Sequence, residues 1–325
     1  MNSRPAHDST PVEVHGRWDA LLEPAVRARL ERALSGYVAA RRWYRTKTKR
    51  VQGARIVAAF PMSFMPVADG VDRGASTARV ALVELALEDG ARDLYVLPLA
   101  FVTGEEAARL RARRPQSVVL PLTVTGRERG RATSGLVVDA LAVEGFLAAW
   151  VDAIARGGVI EDSGLALGFH PLPAVQRAST EISQGKLVPQ PVEGEQTNTS
   201  MLYGRTFVGK VIRKLDAGES PDLEVGRVLT AAGYAHAPAL AGWVDVRRAG
   251  APPTSASTLG LLHAFVPNRG DAWRHVLDVL DGWLAAAAQR DGAPPRLDGD
   301  LLTRASEPLP VEAAASVGEY GELAA

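Results

Sequence analysis

The stretch EQTNTSMLYGRTFVGKVIRKL, residues 195–215, runs from small polar residues into an apolar segment that carries a lysine. Side chains of a strand alternate between faces. Lys210 therefore shares a face with Val208 and Ile212, while Phe207, Gly209 and Val211 lie on the other. Burying an ammonium without a partner costs on the order of several kcal/mol, so a carboxylate is expected beside it. Fourteen residues on, Glu224 lies in the first turns of the next predicted helix and is the expected partner. The alternative is that Lys210 lays its aliphatic stem along the sheet and Glu224 only favours a helix N-terminus.

The helix itself is well marked. In SPDLEVGRVLTAAG (220–233), Ser220 is the predicted N-cap, Pro221 takes the first helical position and Gly233 closes the helix. Two further strands, LAGWVDVRR and STLGLLHAFV, follow around a polar AGAPPTSA loop, and after PNRGD a long helix runs from Ala272 to about Gln289. Upstream, Leu22, Val26, Leu30, Leu34 and Val38 recur at helical spacing between Asp19 and Trp43. Four strand-like runs come next: RIVAAFPM, ARVALVELAL, DLYVLPLAFV and SVVLPLTV. VEGFLAAWVDAIARGG then returns to helical period and stops at two glycines. The expected organisation is a disordered tail over 1–12, an α+β unit over 13–180, a second sheet-and-helix unit over 181–267, and an incomplete helical unit over 268–325.

Composition restricts the function classes. Lys plus Arg equals Asp plus Glu at 37 each, so no global field draws the chain to nucleic acid or an anionic membrane. The absence of cysteine excludes disulfides, thiolate metal sites and a cysteine nucleophile. The polar start MNSRPAHDSTP has no apolar signal region, and a cytoplasmic protein is expected. Only five of the 37 basic residues are lysine: Lys47, Lys49, Lys186, Lys210 and Lys214. In an arginine-rich chain they draw attention to RTKTKR and GKVIRK. RTKTKR itself is read as a solvated basic run.

Strand lysine, helix glutamate and strands leading to LLHAFV follow the order of a kinase small lobe, where a Lys–Glu pair holds the α- and β-phosphates of ATP. GEQTNTSMLYG occupies the place of the phosphate-covering loop. It is not glycine-rich, but offers backbone N–H groups and the side chains of Gln196, Thr197, Asn198, Thr199 and Ser200 as an anion cradle.

EQTNTSMLYG, GKVIRKLDAGESPDLEVGRVLTAAGYAHAPALAGWVDV and LLHAFVPNRGDAW together resemble the maltokinase family, small-molecule kinases related to the aminoglycoside phosphotransferases. RRWYRTKTKR is similar to the Arg-Trp-Phe-x-Gly-Lys-x-Arg segment of the family's cap domain, with Tyr44 in place of Phe and with Arg45 and Thr46 where small residues are usual. The resemblance spans residues 40 to 280 and implies a cap domain over 13–180, a kinase-like small lobe over 181–267 and the start of a large lobe. It implies transfer of phosphate from ATP, with Mg, to the anomeric hydroxyl of maltose for α-glucan synthesis. By position, Lys210 would bind phosphate, Glu224 would orient it, and Gln196 to Ser200 would form the phosphate loop. His263, Ala264, Phe265 and Val266 would form an adenine hinge, with His263 there for packing. Asn268 and Asp271 are expected as turn and cap residues, and Trp273 as packed beneath the hinge.

Kinases of this group carry a His-Gly-Asp-x-His loop and a later metal-binding Asp. None of His7, His15, His170, His236, His263 or His275 begins such a loop. DGDLLTR (298–304) has Asp298 where His is needed, and Asp300 is read as a loop residue. The chain is expected to be a fragment that binds ATP but holds no catalytic or metal residues, with surface on the long helix left open to association. A glucosamine-type sugar kinase and a non-catalytic nucleotide- or partner-binding module are the alternatives.

Overall fold

The computed structural model describes residues 11–65, 76–126, 132–192, 198–268, 270, 272–289, 300 and 308. Residues to Phe265 belong to one compact unit, and Val266 onward to a second. The first unit is of the expected mixed α and β class, and the regular structure described in the second is helical. The first unit opens with β1 (Val12–His15), α1 (Pro24–Ala39), β2 (Val51–Phe64), β3 (Ser76–Leu87) and β4 (Arg92–Thr103). It continues with α2 (Gly104–Arg113), β5 (Val118–Thr125), β6 (Ala132–Asp139), α3 (Glu144–Arg156), β7 (Gly158–Asp162) and β8 (Leu165–Pro171). Two short helices, α4 (Pro173–Arg177) and α5 (Ser179–Ser183), lead to β9 (Pro189–Pro191), β10 (Thr199–Tyr203), β11 (Phe207–Val211) and β12 (Lys214–Leu215). The unit closes with α6 (Pro221–Ala231), β13 (Leu240–Arg248) and β14 (Ser257–Ala264). In the second unit the described helix is α7 (Ala272–Ala288).

The strands form two sheets. The first has the order β1-β5-β6-β4-β3-β2, with β12 joined to β4, and the second the order β7-β8-β13-β14-β11-β10-β9. The near-continuous apolar run of β3 follows from cover on both faces. Ala81, Val83 and Leu85 share a core with Leu30, Leu34 and Val38 of α1. Ala78, Val80 and Leu82 join a second core with Phe146, Trp150 and Ile154 of α3. That second core also takes Met201, Tyr203, Val244 and Leu262 from the second sheet. Helix α3 thus sits in the same apolar cluster as residues of both sheets, and Gly157, at φ 71°, ends it as the two glycines predict.

Three expectations change here. The first helix starts at Pro24 rather than Asp19, because Pro24 takes its opening position after a turn of 3-10 helix at Trp18–Leu22. Val12, assigned to the tail, is a strand residue opposite Leu122; the rest of that tail to residue 10 lies outside the described residues. The boundary at 180 runs through a hydrogen-bonded sheet. Strand β8, from before it, pairs with β13 from Gly242↔Pro171 to Arg248↔Leu165, and the compact unit extends to Phe265.

The link between sheets is a buried ion pair. After Val211 the chain leaves the second sheet, and Lys214 and Leu215 pair with Tyr95 and Leu94 of the first. Between them Arg213 donates from Nη2 to Asp139 Oδ2 at 2.6 Å, from Nε to Thr199 Oγ1 at 2.8 Å and from Nη1 to Val96 O at 3.4 Å. Its guanidinium lies 4.9 Å from the Trp43 ring centre. The two side chains are 3% and 7% exposed. Leu141 N–H and the Tyr37 hydroxyl, at 3.2 and 3.4 Å, donate to the remaining lone pairs of Asp139. Burial above all, with the Asp139 charge, pushes the Tyr37 phenol far above its ordinary value, so it stays a donor.

Breaking one partner of such a pair leaves a buried, uncompensated charge and costs about 3–5 kcal/mol. Arg213→Met and Asp139→Asn are each expected to lower stability by about that amount in urea unfolding, and the double substitution by less than their sum.

Candidate functional site

The register of the second sheet places the sequence-selected residues in rows. Ser200 pairs with Lys210, Lys210 with Leu261, Leu261 with Trp243 and Trp243 with His170. The neighbouring row is Leu202, Val208, His263 and Leu240. Paired residues share a face, and this is the face that α6 covers through Leu223, which packs with Leu240 and Leu261. The alternation in β11 is as predicted: Phe207, Gly209 and Val211 are buried and Val208 and Lys210 are not. Gly209 has no room for a side chain, since a Cβ would lie 2.9 Å from Met201 Cγ.

Lys210 is half-exposed, at 33%, rather than buried, and its Nζ donates to Asp222 Oδ2. The partner expected at Glu224 is thereby corrected to Asp222. Helix geometry explains the change. Residues two apart on an α-helix point about 200° away from one another, so Asp222 and Glu224 cannot both face the sheet. The helix start is fixed by three contacts: Ser220 Oγ accepts from Leu223 N–H at 3.3 Å, Ser220 N–H donates to Thr258 Oγ1 at 2.9 Å, and Leu223 is buried. With Leu223 turned into the core, Asp222 reaches Lys210 and Glu224 is exposed to solvent.

His263 completes the cluster. It stands across from Val208 and Leu240, and a Cβ on Gly226 of α6 would lie 3.7 Å from its Nε2, so the imidazole sits beneath the helix. Burial lowers its pKa below the ordinary 6.5; the Asp222 carboxylate opposes this and the Lys210 ammonium adds to it. His263 thus lies beneath α6, within electrostatic reach of the ion pair.

The phosphate-loop residues divide. Gln196 and Thr197 lie outside the described residues. Asn198 is half-buried just ahead of β10, and Ser200 is cross-strand from Lys210. Thr199 accepts from Arg213, which gives it a structural duty. In the expected hinge, Ala264 N–H donates to Ala239 O and Phe265 N–H to Thr206 O, both at 2.8 Å. Those two donors are engaged within the fold and are not open to an adenine edge. Val266 belongs to the second unit, where its carbonyl accepts from Asn268 Nδ2 at 3.0 Å while Asn268 Oδ1 accepts from Gly270 N–H at 3.1 Å. Asn268 is thus the turn residue predicted. Asp271 lies outside the described residues, and Trp273, expected to be packed, is 74% exposed.

The basic run RTKTKR is tied down rather than simply solvated. Thr46 donates to Asp93 at 2.6 Å, Lys214 pairs with that carboxylate at 2.8 Å, Lys49 pairs with Asp89 at 2.5 Å, and Arg45 lies 3.9 Å from Asp216. A second polar group escaped the sequence reading. His170 Nε2 lies 2.8 Å from Asp245 Oδ2, close enough to bond but off line for it, and the imidazole stacks on Trp243 at 4.7 Å. Glycine at 168 makes this possible, because a Cβ there would come within 2.8 Å of both polar groups. The signal was the alternation Trp243, Asp245, Arg247 along one strand, joined to a histidine seventy-odd residues earlier only by the sheet register.

A cavity of about 320 Å³ lies elsewhere, under α2. None of Lys210, Asp222 and His263 lines it, and its hydroxyls Thr123 and Ser134 bond each other at 3.2 Å. Among the described residues no three His, Asp or Glu side chains converge as metal ligands, and no helix is long and apolar enough to cross a membrane.

The depressed pKa of His263 sets a pH dependence. Below 6.5 the unfolded chain takes a proton that the folded protein refuses, so stability falls as pH drops through the window beneath 6.5 and is regained above it. His263→Gln is expected to flatten that slope in urea midpoints measured from pH 7.5 down to pH 5, as a comparison with the unsubstituted protein checks. Compared with the models of known protein families, the chain matches none.

Proposed function

We propose that the face carrying Ser200, Lys210, Asp222 and His263 is the nucleotide-phosphate site of an ATP-dependent sugar kinase of the maltokinase type, acting on maltose. The carrying observation is the placement of Lys210: a strand lysine, held by a carboxylate from the first turn of the following helix, with a hydroxyl residue cross-strand from it. The resemblance of residues 195–243 and 261–273 to that family supports the same reading. So does the strand order β10-β11-β14-β13 with α6 packed on it.

Energetics point away from a purely structural lysine. A half-exposed pair of this kind contributes only about 0–1 kcal/mol to stability, and Asp222 is more exposed than Lys210. Its better use is to hold the half-exposed ammonium on the face that α6 partly covers, where phosphate oxygens would accept charge-assisted hydrogen bonds. Ser200 offers an additional donor on that face, and the neutral imidazole of His263 adds no competing charge near neutral pH. ATP would supply the phosphoryl group, and Mg its charge neutralisation. The 325 residues contain no His-Gly-Asp-x-His sequence, and Asp300 stands in no such motif. The role assigned to this chain is therefore binding and orientation of the nucleotide, not proton transfer. The same absence favours, as a second reading, a nucleotide-binding module that does not itself turn over.

Lys210→Met is expected to weaken MgATP binding at least about tenfold, about 1.4 kcal/mol, while stability changes by less than about 1 kcal/mol. Asp222→Asn should weaken binding as well, and Glu224→Gln should leave it unchanged. Titration calorimetry on the 325-residue chain measures all three; unchanged binding in Lys210→Met overturns the site. A coupled ADP-release assay with maltose is expected to show no turnover by this chain alone, and maltose-dependent turnover would overturn the binding-only role.

A further inference from the structure

The cavity under α2 measures about 320 Å³, at the small end of the range of ligand pockets, roughly 300–1,000 Å³. Its helical wall is Gly104, Ala107, Ala108 and Arg111, which share one face of the helix. Three of these four carry no side chain beyond Cβ, so the space against β5 and β6 stays unfilled. Arg111 is the single charged residue of the lining, and it is exposed at the mouth together with Ala108. Among the described residues no carboxylate lies within ion-pair reach of Arg111, whereas Arg109 is shared by Glu106 at 3.9 Å and Glu144 at 4.0 Å. On the strand side, one hydroxyl of Thr123 and Ser134 donates to the other at 3.2 Å, which leaves one O–H free to donate. The remaining side chains of the lining are apolar, Leu122 and Leu136 among them.

We propose that this cavity binds a small organic carboxylate with a short aliphatic or aromatic body. A guanidinium fork matches the two oxygens of a carboxylate, and the free hydroxyl adds a further donor. One cation neutralises a monoanion, but it would leave the second charge of a phosphate ester uncompensated. A sugar needs more partners for its hydroxyls than one Thr–Ser pair provides. The apolar walls take the body of the ligand. Lys210, Asp222 and His263 are not in this lining, so the site does not depend on the nucleotide reading.

Isothermal titration of benzoate into the full chain tests it, with benzamide, its neutral isostere, as the comparison. Benzoate is expected to bind at least about tenfold more tightly than benzamide, because the charge-assisted contacts go to the carboxylate. Arg111→Gln should remove that advantage, lowering benzoate affinity about tenfold and leaving benzamide unchanged. Ala108→Leu, which fills the cavity from an exposed helix position, should abolish binding of both without lowering the urea midpoint. Lys210→Met should leave benzoate binding as it is, which separates this site from the nucleotide face. Failure of benzoate to bind, equal affinity for benzamide or for inorganic phosphate, full binding in Arg111→Gln or Ala108→Leu, or loss of binding in Lys210→Met would each overturn the proposal.

Discussion

Arg213 and Asp139 hold the molecule to one architecture. A guanidinium with 3% exposure needs every donor placed, and here its acceptors come from three parts of the chain: Asp139 at the end of β6, the Val96 carbonyl in β4 and the Thr199 hydroxyl at the start of β10. Desolvating both charges is costly, and the attraction between them is repaid only in good geometry. The pair therefore acts as a register mark. It fixes where the chain leaves the second sheet, which fixes Lys214 and Leu215 on β4, and it fixes the first residue of β10, which sets Ser200 across from Lys210. The candidate site is positioned by an interaction whose two charged partners, Arg213 and Asp139, are not among its own residues.

On the site side the logic is that of a half-open pair. Lys210 and Asp222 are solvated enough that their mutual attraction is weak, and close enough to His263 to change its proton affinity. Such a group is suited to being re-partnered, because little stability is lost when a phosphate takes over some of the ammonium's hydrogen bonds. Arg213, buried together with Asp139, has no such freedom. The two cations lie three residues apart and serve opposite ends.

Much of this was legible in the sequence wherever one local rule decided the outcome. Alternation placed Lys210 on the correct face, and Ser220, Pro221 and Gly233 marked the ends of α6, as the observed cap hydrogen bond and the positive φ of Gly233 agree. What the sequence did not disclose depends on how elements meet. Glu224 is the partner expected from its place in the first turns of the helix, whereas the burial of Leu223 determines which carboxylate faces the strand. The division at 180 followed a change in local pattern, yet β8 pairs with a strand some seventy residues later. Thr199 read as a phosphate ligand because its hydroxyl was seen without Arg213. These are long-range facts, and no window along the chain contains them.

The outer strand of the second sheet has its own consequence. Val192 N–H donates to Ser200 O and Gly204 N–H to Val188 O, so the even-numbered residues of that segment turn their polar backbone toward β10. Pro189 and Pro191 occupy the outward positions, where a strand would otherwise present amide hydrogens to any passing chain. Two imino acids thus silence that border of the sheet for growth by strand addition. Self-recognition through amyloid-like stacking is closed off at this rim.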